Sequence, residues 1–189
     1  MSYLRTFAPW IVYAIISGDS AASKQWGALA ALAVTVLVVG QQLGRGQTFD
    51  ALIIEIGSGV FFVALVALAF AAPASGLLGY STALSSAALG VIAWASLAIR
   101  HPFTLGIAKQ STPEELWGQP AFLRVNVIIT LVWAVSFTLG ALVLAALIHA
   151  GGGITVTVIA QVAAFAIPMV FTVRYAAMVR ARRNQLSGE

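Results

Sequence analysis

The sequence predicts an all-α protein, a polytopic transmembrane bundle of about six helices. Three observations lead there. Only 8% of the 189 residues are charged and 60% are hydrophobic, whereas a soluble domain carries about 25% charged residues because its surface faces water. The mean hydropathy is +0.96. Finally, apolar stretches of membrane-spanning length follow one another along the whole chain, most of them joined by short connections.

The expected spans are residues 6–22, 26–43, 51–72, 77–99, 125–148 and 154–173, in a single domain. The first is the shortest in apolar content, because Ser17, Gly18 and Asp19 interrupt it. Arg5, a short apolar run and Ser20-Ala21-Ala22 also fit a cleavable signal peptide. Pro9 and Trp10 instead suit a helix that starts at a membrane interface, and a retained helix is the expectation here. The second span ends in Gln41-Gln42 at an expected interface. Asp50 is placed to cap the third span or to complement its dipole. Pro73 and Gly76 mark one tight turn, and Gly151, Gly152 and Gly153 another. Pro168 is expected to kink the last span.

The cytoplasmic loop, residues 100–124, is the long connection. Thr112-Pro113-Glu114-Glu115 reads as a helix start, with Thr112 as cap, Pro113 in the first helical position and Glu115 completing a capping box. Phe103, Leu105, Trp117 and Phe122 are apolar for a solvated loop. They fit a segment in the headgroup layer or packed under the bundle, and equally a plain connection near lipid. The basic tail is residues 174–189.

Charge distribution orients the bundle. With six spans and a cytoplasmic N-terminus, Arg5, Arg45, Arg100, Lys109, Arg124, Arg174, Arg180, Arg182 and Arg183 fall inside and only Lys24 outside. This is the positive-inside pattern, with both termini cytoplasmic. The net charge of +4 therefore reflects topology rather than nucleic-acid binding. Zero cysteines exclude disulfides, thiolate metal sites and cysteine nucleophiles. The two histidines, His101 and His149, fall on opposite faces in this topology, and no metal-binding or phosphate-loop motif occurs. No cofactor and no metal are expected, nor is an enzyme.

Glu55 is the most informative polar residue, set near the start of the third span among Ile53, Ile54 and Ile56. An acidic group inside a membrane helix costs roughly 2.5–3.5 kcal/mol on insertion scales, less near the interface. Two readings stand open: a proton or cation ligand, and a structural partner of Arg45, Arg100 or Arg124. A polar cavity or ion path would bring Glu55, Gln41, Asn126 and Gln161 together. Asn126, Thr130, Trp133 and Phe137 share one helical face and read either as a pocket lining or as a packing stripe. Gly40 with Gly44, and Ser86 with Gly90, have small-xxx-small spacing, compatible with close helix packing or a homo-oligomer.

Several of these features resemble the intracellular septation protein A family of small bacterial inner-membrane proteins. The opening Phe7-Ala8-Pro9 with Val12 and Tyr13 is similar to that family's Phe-x-Pro start, and Ala28-Leu29-Ala30-Ala31 to its Ala-rich second helix. Arg100-His101-Pro102 resembles its basic-basic-Pro junction. Phe122 before Asn126, followed by Trp133-Ala134-Val135 and Phe137, is similar to its Trp-x-x-Leu-Asn and Trp-Ala-x-Phe-Phe pattern. There are departures: Phe122 stands for a tryptophan, Asn126 and Trp133 are one helical turn further apart, and the loop is longer. The resemblance implies a non-enzymatic role in the cell envelope or septation, through membrane-protein partners in the inner membrane. It assigns no catalytic residue. The alternative from the residues alone is a small ion- or proton-coupled transporter or channel using Glu55.

Overall fold

The computed structural model describes residues 5–18, 20–47, 52–110 and 112–187, apart from the side chains of residues 183, 184, 186 and 187. The cap expected at Asp50 lies outside these residues. Among the described residues seven α-helices follow in order: α1 (Ala8–Ile16), α2 (Ala21–Gly44), α3 (Ile53–Ala71), α4 (Ser81–Ala98), α5 (Phe103–Lys109), α6 (Pro120–His149) and α7 (Ile154–Ser187). A 3-10 turn, Gly76–Tyr80, leads directly into α4, and another, Glu114–Leu116, lies between α5 and α6. There is no strand among the described residues.

Among the described residues five helices are long and apolar enough to cross a membrane: Ala21–Gly44, Ile53–Ala71, Gly76–Ala98, Pro120–His149 and Ile154–Arg182. The expected first span, residues 6–22, is not among these five. α1 has nine residues, which rise about 14 Å against the ~30 Å of a hydrocarbon core. Ser17 stops it by donating both its amide (2.9 Å) and its hydroxyl (2.6 Å) to the Tyr13 carbonyl. The chain then turns, and Ser20 caps α2 by accepting the Ser23 amide at 3.0 Å. α2 therefore starts at Ala21, five residues before the expected 26.

Three other boundaries move. The helix expected from Thr112 is only the three-residue turn Glu114–Leu116, without a side-chain cap. The Thr112 carbonyl instead accepts the Trp117 indole N–H at 2.9 Å. α6 begins at Pro120 rather than 125, with proline in its first turn, where the missing N–H costs nothing. α7 runs through Pro168 and continues past 173 to Ser187, so part of the basic tail is helix.

Packing explains the rest. α1 pairs with α2, α2 with α3, α4 with α6 and α6 with α7, while α5 packs beneath α6. α1 is the wedge between these groups. Phe7 stacks on Trp133 with ring centroids 5.1 Å apart and meets Phe165 edge-on at 5.3 Å. Trp10 stacks on Phe61 at 5.0 Å and donates its indole N–H to Ser58 at 2.8 Å. Of the two sequence-level readings of the loop, the described residues give the packed one for its first part: Phe103 and Ile107 belong to the core. Arg100, at φ 59°, turns the chain there, and the Ser96 hydroxyl accepts the Phe103 amide at 3.2 Å.

Two prolines leave carbonyls that other helices take up. Pro73 has no N–H for the Ala69 carbonyl four residues earlier, and Gln25 donates to it at 3.0 Å. Pro168 likewise frees the Ala164 carbonyl, which accepts the Ser136 hydroxyl at 3.0 Å. In an apolar surrounding an unpaired carbonyl is costly, so each proline becomes a point of attachment between helices. Close approach is set by glycines: a Cβ at Gly140 would lie 2.7 Å from the Ala164 Cβ, and one at Gly57 2.6 Å from Ile92. Gly40 and Gly44 have nothing within 4 Å of such a Cβ, whereas Gly90 faces Thr138 and Phe137.

Candidate functional site

Glu55 lies in the first turn of α3 and is 3% exposed. At that position its carboxylate complements the helix dipole. Its Oε1 accepts two hydrogen bonds of 2.9 Å, one from the Thr6 hydroxyl and one from the Gln42 amide. Its Oε2 is buried with no partner. Behind it, Arg5 donates to the Gln42 carbonyl oxygen at 3.3 Å and to Gln110 at 2.8 Å. The Arg5 Nε is also buried without a partner. The expected partners Arg45, Arg100 and Arg124 are all exposed, and none of them bonds to Glu55. The basic group of this site is Arg5, which reaches Glu55 through Gln42.

The cluster joins four parts of the chain: the residues before α1, α2, α3 and the segment after α5. Its chemistry is limited. Gln42 directs its N–H₂ at the carboxylate and its oxygen at Arg5, so the amide is fixed from both sides. Around Glu55 only donors are aimed at Oε1, which suits a proton or a hydrogen-bond donor at Oε2 better than a metal cation. Among the described residues no three His, Asp or Glu side chains gather.

The four polar residues expected to meet do not. Gln41 is exposed, and its neighbour Gln42, 1% exposed, occupies the position expected for it. One residue is a rotation of about 100° on a helix. Asn126 is buried, but its side chain donates to the Phe122 carbonyl of its own helix at 2.9 Å. Gln161 lies on α7 and lines a groove with Tyr13 and Lys24, at the other end of α1, with its Oε1 buried and unpartnered. Glu55, Gln42 and Asn126 do not line that groove.

The stripe Asn126, Thr130, Trp133 and Phe137 is buried throughout. The Thr104 hydroxyl of α5 donates to the Asn126 carbonyl at 3.0 Å and lies 2.8 Å from the Thr130 hydroxyl. The Trp133 indole donates to Thr172 of α7 at 3.0 Å, and Phe137 packs on Phe165 at 5.1 Å. This face fastens α5 and α7 to α6. Thr6 and Gln110 were not singled out from the sequence, where Arg5 counts only toward topology and Gln42 only as part of an interfacial pair. A signal for Gln42 exists: it continues the buried series Ala28, Ala31, Thr35, Val38 of α2, spaced three and four residues apart.

Comparison of the chain with protein-family models, with curated proteins and with solved structures gives no match.

Proposed function

We propose that this multi-pass membrane protein is non-enzymatic and works through contacts in the plane of the bilayer, in maintenance or septation of a bacterial cell envelope. The observation that carries the reading is the state of α7. Only 11% of its most apolar stretch is buried inside the chain, against 33–44% for the other four candidate spans. Ile159, Val170 and Val173 are each more than half exposed, and their spacing puts them on one face. Such a face is where a membrane partner would pack. Most buried polar groups, by contrast, join helices to one another. The envelope role rests on the short-motif resemblance to the intracellular septation protein A family. Eight described basic residues at one end of the bundle, with Lys24 at the other, support an inner-membrane orientation with that end cytoplasmic.

The test is complementation of a deletion strain, read as cell length and shape. Glu55→Gln is expected to restore normal cells. The pair Ile159→Ala and Val170→Ala, which leaves span hydrophobicity nearly unchanged, is expected not to. Full rescue by the α7 pair together with failure of Glu55→Gln would overturn the reading.

One observation favours a second reading, a small proton-coupled transporter: the buried, unpartnered Oε2 of Glu55. Proton flux into liposomes that disappears in Glu55→Gln would establish it. Equal flux in both proteins would remove Glu55 from any such path.

A further inference from the structure

α1 is short and α7 long, so the two do not cover each other along their full lengths. Beside α1, between α4 and α7, a cavity of about 820 Å³ remains. That is within the roughly 300–1,000 Å³ typical of small-molecule sites. Its walls are mainly apolar, including Ile15, Leu89, Val158 and Val162. Gln161 Oε1 is nevertheless buried there without a partner, and the buried Tyr13 Oη has only the Ser81 and Ser17 hydroxyls near it. Tyr13 as a whole is 4% exposed. The nearby Ser17 hydroxyl is committed to the Tyr13 carbonyl. Lys24, in the first turns of α2, lines the same cavity and is the one lysine or arginine at that end of the bundle among the described residues.

These features ask for an occupant with three properties. It is apolar over most of its surface. It carries oxygen atoms in reach of a tyrosine hydroxyl and a glutamine amide, which presents either its oxygen or its N–H₂ by rotation about the last side-chain bond. It is anionic where it meets Lys24. We propose that the groove between α1, α4 and α7 is a specific site for an anionic glycerophospholipid. The phosphate lies at Lys24, the glycerol region at Tyr13 and Gln161, and an acyl chain against α7. This site is separate from the Glu55 cluster and does not depend on which reading of that cluster holds.

The experiment is native mass spectrometry of the purified full chain released from mixed micelles containing phosphatidylglycerol or phosphatidylcholine. The wild type is expected to retain one phosphatidylglycerol in preference to phosphatidylcholine. Lys24→Ala should lower that preference about fivefold, the worth of one basic residue beside an anionic headgroup. Ala166→Trp, which fills the groove from an exposed position, should abolish retention of both lipids. Gln161→Leu, of similar volume, replaces it if the tryptophan variant is not helical and monodisperse, and should lower retention at least several-fold. Equal retention of the two lipids by wild type overturns the proposal. So does undiminished retention by the groove variant, or a lipid-free dimer that phosphatidylglycerol does not dissociate.

Discussion

The attachment of α7 at Pro168 gives a quantitative prediction. Pro168 has no N–H, so the Ala164 carbonyl lacks its intrahelical donor, and Ser136 of α6 supplies one at 3.0 Å. Ala164 is 5% exposed, and one turn from Ser136 a Cβ at Gly140 would lie 2.7 Å from the Ala164 Cβ. The groove that opens beside this contact is lined almost wholly by apolar side chains, among them Val135, Leu139 and Ile167, so water is a poor replacement for the serine. Ser136→Ala leaves the carbonyl unpaired, which costs about 1–3 kcal/mol in a buried setting. Membrane double-mutant cycles average lower, about 0.6 with a maximum near 1.7 kcal/mol, because the dissociated helices find other partners. That discount applies weakly here, since Pro168 still withholds the N–H when α7 is separated from α6. We expect a loss of about 1.5 kcal/mol. In a Pro168→Ala background the restored N–H takes the carbonyl, and Ser136→Ala should then cost no more than about 0.5 kcal/mol. The assay is the double-mutant cycle, measured by reversible unfolding in mixed micelles with far-UV circular dichroism. A coupling energy within about 0.3 kcal/mol of zero would refute the reasoning.

Three further predictions use the same assay. Gly140→Ala forces α6 and α7 apart, because the obstructing Ala164 Cβ is fixed to the backbone, and should cost about 1–3 kcal/mol; Gly40→Ala, with open space around it, should stay within about 0.5 kcal/mol of wild type. Trp133→Phe keeps a ring against Phe7 but loses the Thr172 hydrogen bond and should cost about 1–2 kcal/mol, against about 3–5 for Trp133→Ala. Glu55→Leu leaves Thr6 and Gln42 without their common acceptor and should be less stable than Glu55→Gln by at least about 1 kcal/mol; equal stability would show that the cluster does not fasten α1.

The helical, membrane-spanning architecture was legible because it follows from composition and run length, which no tertiary detail overrides. Boundaries were less legible where tertiary partners set them. α6 extends back to Pro120, with the half-buried Phe122 one turn before Asn126, and α7 extends through Arg174 although hydropathy ends near 173. Glu55 stood out as an acid among isoleucines, but its partners did not. Arg5 and Thr6 lie 50 and 49 positions away, and nothing local marks them. Gln42 was within reach, since the three-four spacing of α2 excludes Gln41; weighing the Gln-Gln pair as an interface signal concealed that difference. Spacing alone does not say which side of a helix has a neighbour, so nothing in the sequence sets Gly57 and Gly140 apart from Gly40 and Gly44.

The length of α1 connects the two polar regions. A full span beside α7 would cover Gln161, leaving no groove. A shorter segment, starting after Phe7, would remove the ring that stacks on Trp133 and leave the α6 side of the core open. With nine helical residues, the start of α1 holds Thr6 and Arg5 against Glu55 and Gln42, and its end stops at Ser17 beside the groove. The last carbonyls of any helix lack intrahelical donors. Here Ser17 satisfies that of Tyr13 twice over, and the helix terminates where Lys24 and an anionic headgroup would meet. Lengthening α1 by one turn of alanine after Ile16 separates the two regions experimentally. It should displace Ser17 and Lys24 and abolish lipid preference, while the Glu55 cluster, anchored at the opposite end of the same helix, keeps its contribution to stability.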